Sequence, residues 1–204
     1  MKSLFILAVL TIVMLGTTQS SYADVIVFTA NLSGPAESPP NASPGSGFTT
    51  VTYDSVAHTL RVQVSFSGLV ANTTASHIHS ATAVPGAGNA GVATQLPSFA
   101  GFPLGVTSGS MDNTFDLTLA ASWNPAFITA NGGTAASAEA ALFIGMSQGR
   151  AYLNIHSTQF PGGEIRGFLQ PVPEPATILL LGSGLAGIAS SVRRRRKASK
   201  NSGA

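Results

Sequence analysis

The sequence predicts a mainly β domain, an antiparallel β-sandwich or barrel with one or two short helices. Three observations support this fold class. Residues 60–67 alternate strictly between apolar and polar side chains, which is typical of a strand buried on one face. Segments rich in glycine and proline, such as residues 34–47, separate the β-rich stretches. Residues 135–146 form the one longer segment that is rich in strong helix formers.

The predicted elements follow one another along the chain with short connections. Residues 54–58, which include His58, are the expected turn between the second and third strands. Residues 124–127 start one helical turn, and residues 135–146 form a helix that ends at Gly149. No period repeats across the domain, so a solenoid is excluded. The predicted strands are residues 25–32, 48–53, 60–67, 75–79, 92–96 and 114–119, followed by a hairpin of residues 150–156 and 164–169.

The first 23 residues have the pattern of a secretory signal peptide. Lys2 supplies a positive charge, residues 4–15 are an apolar run, and small residues precede the expected cleavage after Ala23. The apolar run is shorter than a membrane span requires. The sequence therefore predicts an exported chain whose mature domain covers residues 24–171.

The other end of the chain has the pattern of a membrane segment with a basic stop. The apolar stretch of residues 176–192 is close to the lower limit for a transmembrane helix, about 17 residues. A cationic cluster, residues 193–197, follows directly and is expected to stay on the cytoplasmic side. We expect residues 172–197 to be a sorting signal with a transmembrane helix, and residues 198–204 to be a cytoplasmic tail.

Charge and cysteine content limit the functions of the mature domain. The whole chain has a formal net charge of +2, but residues 24–171 carry three arginines against seven acidic residues, a balance of −4. The domain therefore has no basic patch for nucleic acid. The chain contains no cysteine, which excludes disulfides, thiolate metal sites and cysteine nucleophiles.

Three of the four histidines lie on predicted strands with a common orientation. Because side chains alternate along a strand, His77 and His79 share one face, with Ile78 on the other. In the final hairpin, Ile155 facing the core places His156 on the opposite face. Two imidazoles on one strand and a third on a neighbouring strand form a typical three-ligand site for copper or zinc. His58 lies in a predicted turn and is expected at the surface.

The register of the final hairpin follows from its two isoleucines. If Ile155 and Ile165 both face the core, Asn154 lies opposite Arg166 and His156 lies opposite Glu164. Glu164 is then a candidate fourth ligand or a partner of a ligand.

Three interpretations of this polar face remain open at the level of the sequence. In the first, His77, His79, His156 and Glu164 hold a single ion. In the second, they form a structural polar network with Asn154 and Arg166, made of ordinary cross-strand pairs. In the third, the same polar face binds a ligand. The first requires the two histidine-bearing strands to be neighbours.

Both the domain and the tail resemble known families. Residues 32–40, the segment Ser76–His79 with the glycines of residues 86–91, and the run from Tyr152 to Gly167 resemble a CHRD domain, named after chordin. This resemblance implies a β-rich extracellular domain and no particular reaction. The tail resembles a PEP-CTERM sorting signal, which implies a bacterial protein that an exosortase-type enzyme processes. The residues that carry this second resemblance are Pro173, Glu174, Pro175, Arg193, Arg194, Arg195 and Arg196.

These resemblances imply a place for the protein and leave its activity open. The fold would be immunoglobulin-like or similar to superoxide dismutase, although the chain lacks the histidines for a second metal site and has no disulfide. The tail implies transient anchoring in the inner membrane and delivery to the cell envelope, the outer surface or an extracellular matrix. One expectation is a non-catalytic binding or structural domain with matrix polysaccharide or other surface proteins as partners. The alternative is a single-site copper or zinc protein or small redox enzyme.

Overall fold

The computed structural model describes residues 25–173 together with Gly184. The chain divides into two compact units, Met1–Pro171 and Val172–Ala204. The predicted signal peptide, the apolar segment of residues 176–192 and the arginine cluster lie outside the described residues. Within the part that is described, no helix has the length and apolar character needed to cross a membrane.

The described strands belong to one antiparallel sheet. The strands are β1 Val25–Ser33, β2 Ser46–Asp54, β3 Thr59–Ser67, β4 Thr73–His79, β5 Gly109–Asp116, β6 Tyr152–Ser157, β7 Ile165–Phe168 and β8 Gln170–Pro171. Their order in the sheet is β4-β6-β7-β1-β2-β3-β5, and β8 pairs with β1 beside β7.

The mainly β class with two short helices is confirmed, but the hydrogen bonds join the strands into a single, strongly curled half-barrel rather than two stacked sheets. Alternation predicts a buried face equally well for either arrangement.

The concave face of the sheet holds the core. Every second residue of β3 is buried, as the alternation predicts, and β1 and β2 continue the same pattern. Burial of each such side chain stabilises the fold by roughly 1.5–3 kcal/mol. Large side chains from these strands that are buried in the core include Phe28, Leu32, Val51, Leu60, Val62, Val64 and Phe66.

Two short helices close the open side of the core. Helix α1 (Pro125–Ala130) begins at Asn124, whose side chain accepts a hydrogen bond from the Ala126 N–H. Helix α2 (Ala135–Ser147) begins with a reciprocal capping box between Thr134 and Ser137. The inner side of α2 buries Ala138, Leu142 and Met146 in the core.

The long connection between β4 and β5 covers the free edge of β4. The N–H groups of Ala93, Phe99 and Gly105 donate to the carbonyls of Ile78, Ser76 and Thr73, at 2.9–3.0 Å. The prediction of a strand at residues 92–96 is wrong, because this stretch makes only isolated bridges at Val92 and Thr94. The prediction at residues 114–119 is displaced, since β5 begins earlier and ends at Asp116.

The pairing of β4, β6 and β7 sets the frame of the polar face. Strand β4 pairs with β6, so the two histidine-bearing strands are neighbours. In the final hairpin, Ile155 pairs with Ile165 and Asn154 pairs with Arg166, and both isoleucines are buried in the core. The predicted register of the hairpin is therefore confirmed at these two pairs.

Candidate metal centre

Three histidines meet on the convex side of β4 and β6. His77 and His79 lie on β4, and Ala75 at the start of that strand pairs with His156 on β6. The ring centroids of His77 and His156 are 5.2 Å apart, and those of His79 lie 5.8 Å and 5.7 Å from the other two. One ligand nitrogen from each ring lies within 4.8 Å of the other two. We call these three residues the histidine cluster.

Each ring of the histidine cluster is oriented by a backbone carbonyl from a covering loop. His77 Nε2 lies 2.7 Å from the Pro97 oxygen, His79 Nδ1 lies 2.9 Å from the Ala90 oxygen, and His156 Nδ1 lies 3.0 Å from the Pro161 oxygen. A carbonyl oxygen only accepts hydrogen bonds, so each of these nitrogens carries the proton. The tautomer of each neutral ring is therefore determined by its loop.

The remaining nitrogen of each ring has no hydrogen-bond partner. These atoms are His77 Nδ1, His79 Nε2 and His156 Nε2, and all three are buried. In a neutral ring this second nitrogen has a free lone pair, which is the group that binds a metal ion. Each of these nitrogens is free to bind an ion, and the N–H of the same ring is held by a carbonyl, as is usual for histidine ligands of metals.

The electrostatics of the cluster keep the rings neutral. Burial lowers the pKa of His77 and that of His156 below the ordinary histidine value. For His79, burial first and then the neighbouring histidines and Arg166 lower the pKa to about 4. Protons therefore do not compete for the three lone pairs at neutral pH.

The polar face that carries the histidine cluster is buried and not exposed to water. His77 is 5 % exposed, and His79 and His156 are each 8 % exposed. The loops that supply Ala90, Pro97 and Pro161 lie over the strands. Alternation along the strands specifies which face a side chain takes, but these loops decide whether water reaches that face.

Glu164 lies on this face but makes its contacts outside the histidine cluster. Its Oε1 accepts hydrogen bonds from Ser43 Oγ and from the Val70 N–H, each at 2.6 Å. Glu164 is not among the residues whose ligand atoms converge. The carboxylate thus links the loop before β2 and the loop after β3 to the hairpin.

Arg166 lies in a buried network whose partners the sequence did not predict. Its Nε donates to the Ala36 oxygen, and one terminal nitrogen donates to the Gly88 oxygen and to Asn89 Oδ1. Glu37 Oε2 lies 3.6 Å from the guanidinium. Burial raises the pKa of Glu37 to about 7, although Arg166 acts in the opposite direction. The expected pairing of Arg166 with Asn154 holds for the backbone register and not for a side-chain hydrogen bond.

Tyr152 connects this network to the histidine cluster. Its ring stacks on the His79 ring with centroids 4.8 Å apart and an interplanar angle of 6°. The Arg166 guanidinium carbon lies 4.7 Å from the centroid of the same Tyr152 ring. The Tyr152 hydroxyl accepts a hydrogen bond from the Ala90 N–H, beside the carbonyl that orients His79. Tyr152 therefore supports His79 through both its ring and its hydroxyl.

Gly163 allows the hairpin loop to lie close to this network. Its φ of 133° is unfavourable for other residues. A side chain there would also collide with Asn154 and with Glu37. The second glycine of the turn Pro161-Gly162-Gly163 is therefore required for this backbone geometry.

His58, the fourth histidine, lies outside the cluster. Its side chain is half exposed, as the predicted surface turn implies, and its Nδ1 lies 3.0 Å from both oxygens of Glu139 in α2.

The residues that orient the histidine cluster could not be predicted from the sequence, because Ala90, Pro97 and Pro161 act through backbone carbonyls.

Comparison with protein families identifies both parts of the chain. Residues 28–169 match the CHRD domain, so this chain belongs to the CHRD-domain family. Residues 171–196 match the PEP-CTERM protein-sorting motif. That motif implies export, processing by an exosortase and sorting to the cell surface. No curated protein and no solved structure matches the chain.

Proposed function

We propose that this surface-sorted CHRD domain binds one copper or zinc ion through His77, His79 and His156. The observation that carries the proposal is a group of three buried imidazoles, each with one nitrogen that has no hydrogen-bond partner, in which one ligand nitrogen of each ring lies within 4.8 Å of the other two. Each ring is neutral and is oriented from behind by a backbone carbonyl. The cluster therefore has the features that a metal ligand set requires before the ion arrives.

The alternative of a purely structural polar network accounts poorly for these nitrogens. A structural network stabilises a fold when its buried polar atoms have partners. A buried polar atom without a partner costs about 1–3 kcal/mol, and each ring of the histidine cluster has one such nitrogen. A single bound ion satisfies all three at once.

The composition of the donor set limits the choice of ion. Three imidazole nitrogens suit zinc or copper, whereas calcium and magnesium prefer oxygen ligands. Three protein ligands leave a further coordination position for water or a small ligand.

The sorting motif supports a setting for this activity. In the proposal, the chain is exported, an exosortase-type enzyme processes the tail, and the CHRD domain acts at the outer surface or in the extracellular matrix. The domain serves there by holding its ion and contributing to the surface layer. Matrix polysaccharide and other surface proteins are the proposed partners.

Elemental mass spectrometry of the chain, purified without a histidine tag or chelator, tests the proposal. We expect about one equivalent of copper or zinc in the protein as isolated or after metal addition and desalting, and its loss in the double variant His77→Ala/His156→Ala. Metal at 100 times its Kd should also stabilise the fold by about 2.7 kcal/mol, measured by thermal unfolding.

His58→Ala is the matched control, since His58 is a histidine outside the cluster. This variant should keep the full metal content and the full stabilisation by added metal. A chain that takes up neither ion, or a double variant that retains its metal, would contradict the proposal.

A further inference from the structure

The ligands of the proposed centre carry no charge of their own. Its three donors are imidazoles that each donate one N–H to a backbone carbonyl and offer the other nitrogen, and no carboxylate of residues 25–173 joins them. The full charge of a bound ion is therefore not compensated by its ligands. The cost of transferring an ion into a buried site rises with the square of its charge, so this cost is about four times larger for a divalent than for a monovalent ion of the same size.

The positive charge of Arg166 adds to this preference for an ion of lower charge. The Arg166 guanidinium lies on the Tyr152 ring, and that ring stacks on the His79 ring. The field of this nearby positive charge opposes a second positive charge on an ion bound at His79. Glu37 partly compensates Arg166 at neutral pH, because burial raises the pKa of this carboxyl to about 7.

The hydrogen-bond acceptors of the three rings also favour an ion of lower charge. All three N–H groups donate to backbone carbonyls, those of Pro97, Ala90 and Pro161. A carboxylate acceptor would draw the ring proton more strongly and make the imidazole a stronger donor. Neutral carbonyls leave the ligands less able to stabilise a divalent ion.

From these observations we infer that the histidine cluster selects copper in its monovalent state over divalent copper. The inference rests on the proposed function and deepens it by naming the charge of the ion. Monovalent copper has a filled d shell and accepts three ligands without a fourth. Neutral donors, burial and the Arg166 charge all favour the ion with the lower charge.

The reduction potential of the bound copper tests this inference directly. In a mediated electrochemical titration, bound Cu²⁺ takes one electron from the electrode and becomes Cu⁺, while no bond within the protein changes. The Cu²⁺ signal in electron paramagnetic resonance reports the fraction oxidised. We expect a potential above that of copper with excess imidazole in the same buffer, because selective binding of Cu⁺ raises the potential.

Three variants examine the part that charge plays. Arg166→Met removes the positive charge and should lower the potential, whereas Arg166→Lys keeps the charge and should leave it nearly unchanged. At a separation on the order of 10 Å and an effective dielectric constant of about 20, one unit charge changes the preference roughly tenfold. A tenfold change corresponds to about 59 mV for one electron. Glu37→Gln, measured at pH 8, should raise the potential because it leaves Arg166 without its carboxylate.

The outcomes separate this inference from the proposed function. A chain that binds no copper fails the proposed function itself. Copper that binds with a potential at or below that of the imidazole complex overturns the inference alone. Equal potentials in Arg166→Met and Arg166→Lys also overturn it. If Arg166→Met does not fold, Glu37→Gln decides, because an unchanged or lower potential in that variant contradicts the role of charge.

Discussion

Two regions on the convex side of one sheet carry similar residues in opposite environments. On β3 and β5, Arg61 and Asp112 form a two-pronged ion pair at 2.8 Å and 2.6 Å with both side chains 49 % exposed. On β7, Arg166 lies near Glu37 at 3.6 Å, and these side chains are 3 % and 5 % exposed. The first region is open to water, and loops cover the second.

The difference shows what a covered polar face demands. In the open region, water satisfies whatever the side chains leave unpaired, so a polar residue there needs no particular partner. In the covered region each polar atom needs a partner within the protein or a ligand. Arg166 and Glu164 Oε1 have partners, whereas Glu164 Oε2 and one nitrogen of each clustered histidine do not. The covered region therefore contains the candidate site, although both regions are polar in sequence.

The largest difference in stability between the two regions is expected when the arginine of each is replaced by alanine. Arg166→Ala leaves Glu37 buried without its cation and should reduce the free energy of unfolding by about 3–5 kcal/mol. Arg61→Ala breaks an exposed ion pair and should leave that free energy within experimental error. Urea unfolding of the metal-free chain measures both. Similar losses in the two variants would show that the covering loops do not isolate Arg166 from water.

The second-largest effect is expected on acidification, through the histidines of the covered region. Their folded-state pKa values lie below the ordinary value of about 6.5, so the unfolded chain binds more protons as the pH falls. The metal-free protein should therefore lose stability between pH 6.5 and about 4, by on the order of 3 kcal/mol for His79 alone. Unfolding in urea across this pH range measures the loss.

Glu37 acts with the opposite sign in an overlapping window and provides the control. Its folded-state pKa of about 7 is raised, so its contribution to stability is full below pH 4.5 and is lost as the pH rises through 7. Glu37→Gln removes the stabilisation that Glu37 provides at low pH. The free energy of unfolding should then fall more steeply on acidification. A flatter pH profile in Glu37→Gln would contradict the burial of this carboxyl.

The smallest effect is expected for the hydroxyl of Tyr152. Tyr152→Phe keeps the ring stacked on His79 but removes the hydrogen bond from the Ala90 N–H. We expect a loss of about 0.5–1.5 kcal/mol in stability and a weaker affinity for the metal. The measurements are urea unfolding and competition with a chelator.

Tyr53→Phe is the control for that variant. The Tyr53 hydroxyl donates to Glu139 Oε1 at 2.9 Å, away from the histidine cluster. Its removal should lower stability without a change in metal affinity. If both variants weaken metal binding equally, the effect of Tyr152 is one of general stability and not of ring position.

Strand positions and faces could be predicted because alternation is a local property. It located β1, β2 and β3 within a few residues, and it placed His77 and His79 on one face. Burial of Ile155 and Ile165 set the register of the final hairpin. Alternation did not distinguish one curled sheet from two packed sheets. It also failed at residues 92–96, where the chain covers an edge instead of extending the sheet.

By itself the sequence determined which residues share the polar face, how the final hairpin pairs, and which family motifs the domain and tail carry. Only the tertiary structure decided that this face is buried, which nitrogen of each histidine carries the proton, and that the three rings meet. The physical reason is that these properties depend on backbone carbonyls and loop packing far along the chain. A carbonyl belongs to every residue, so its role at Ala90 or Pro161 has no signature in the sequence.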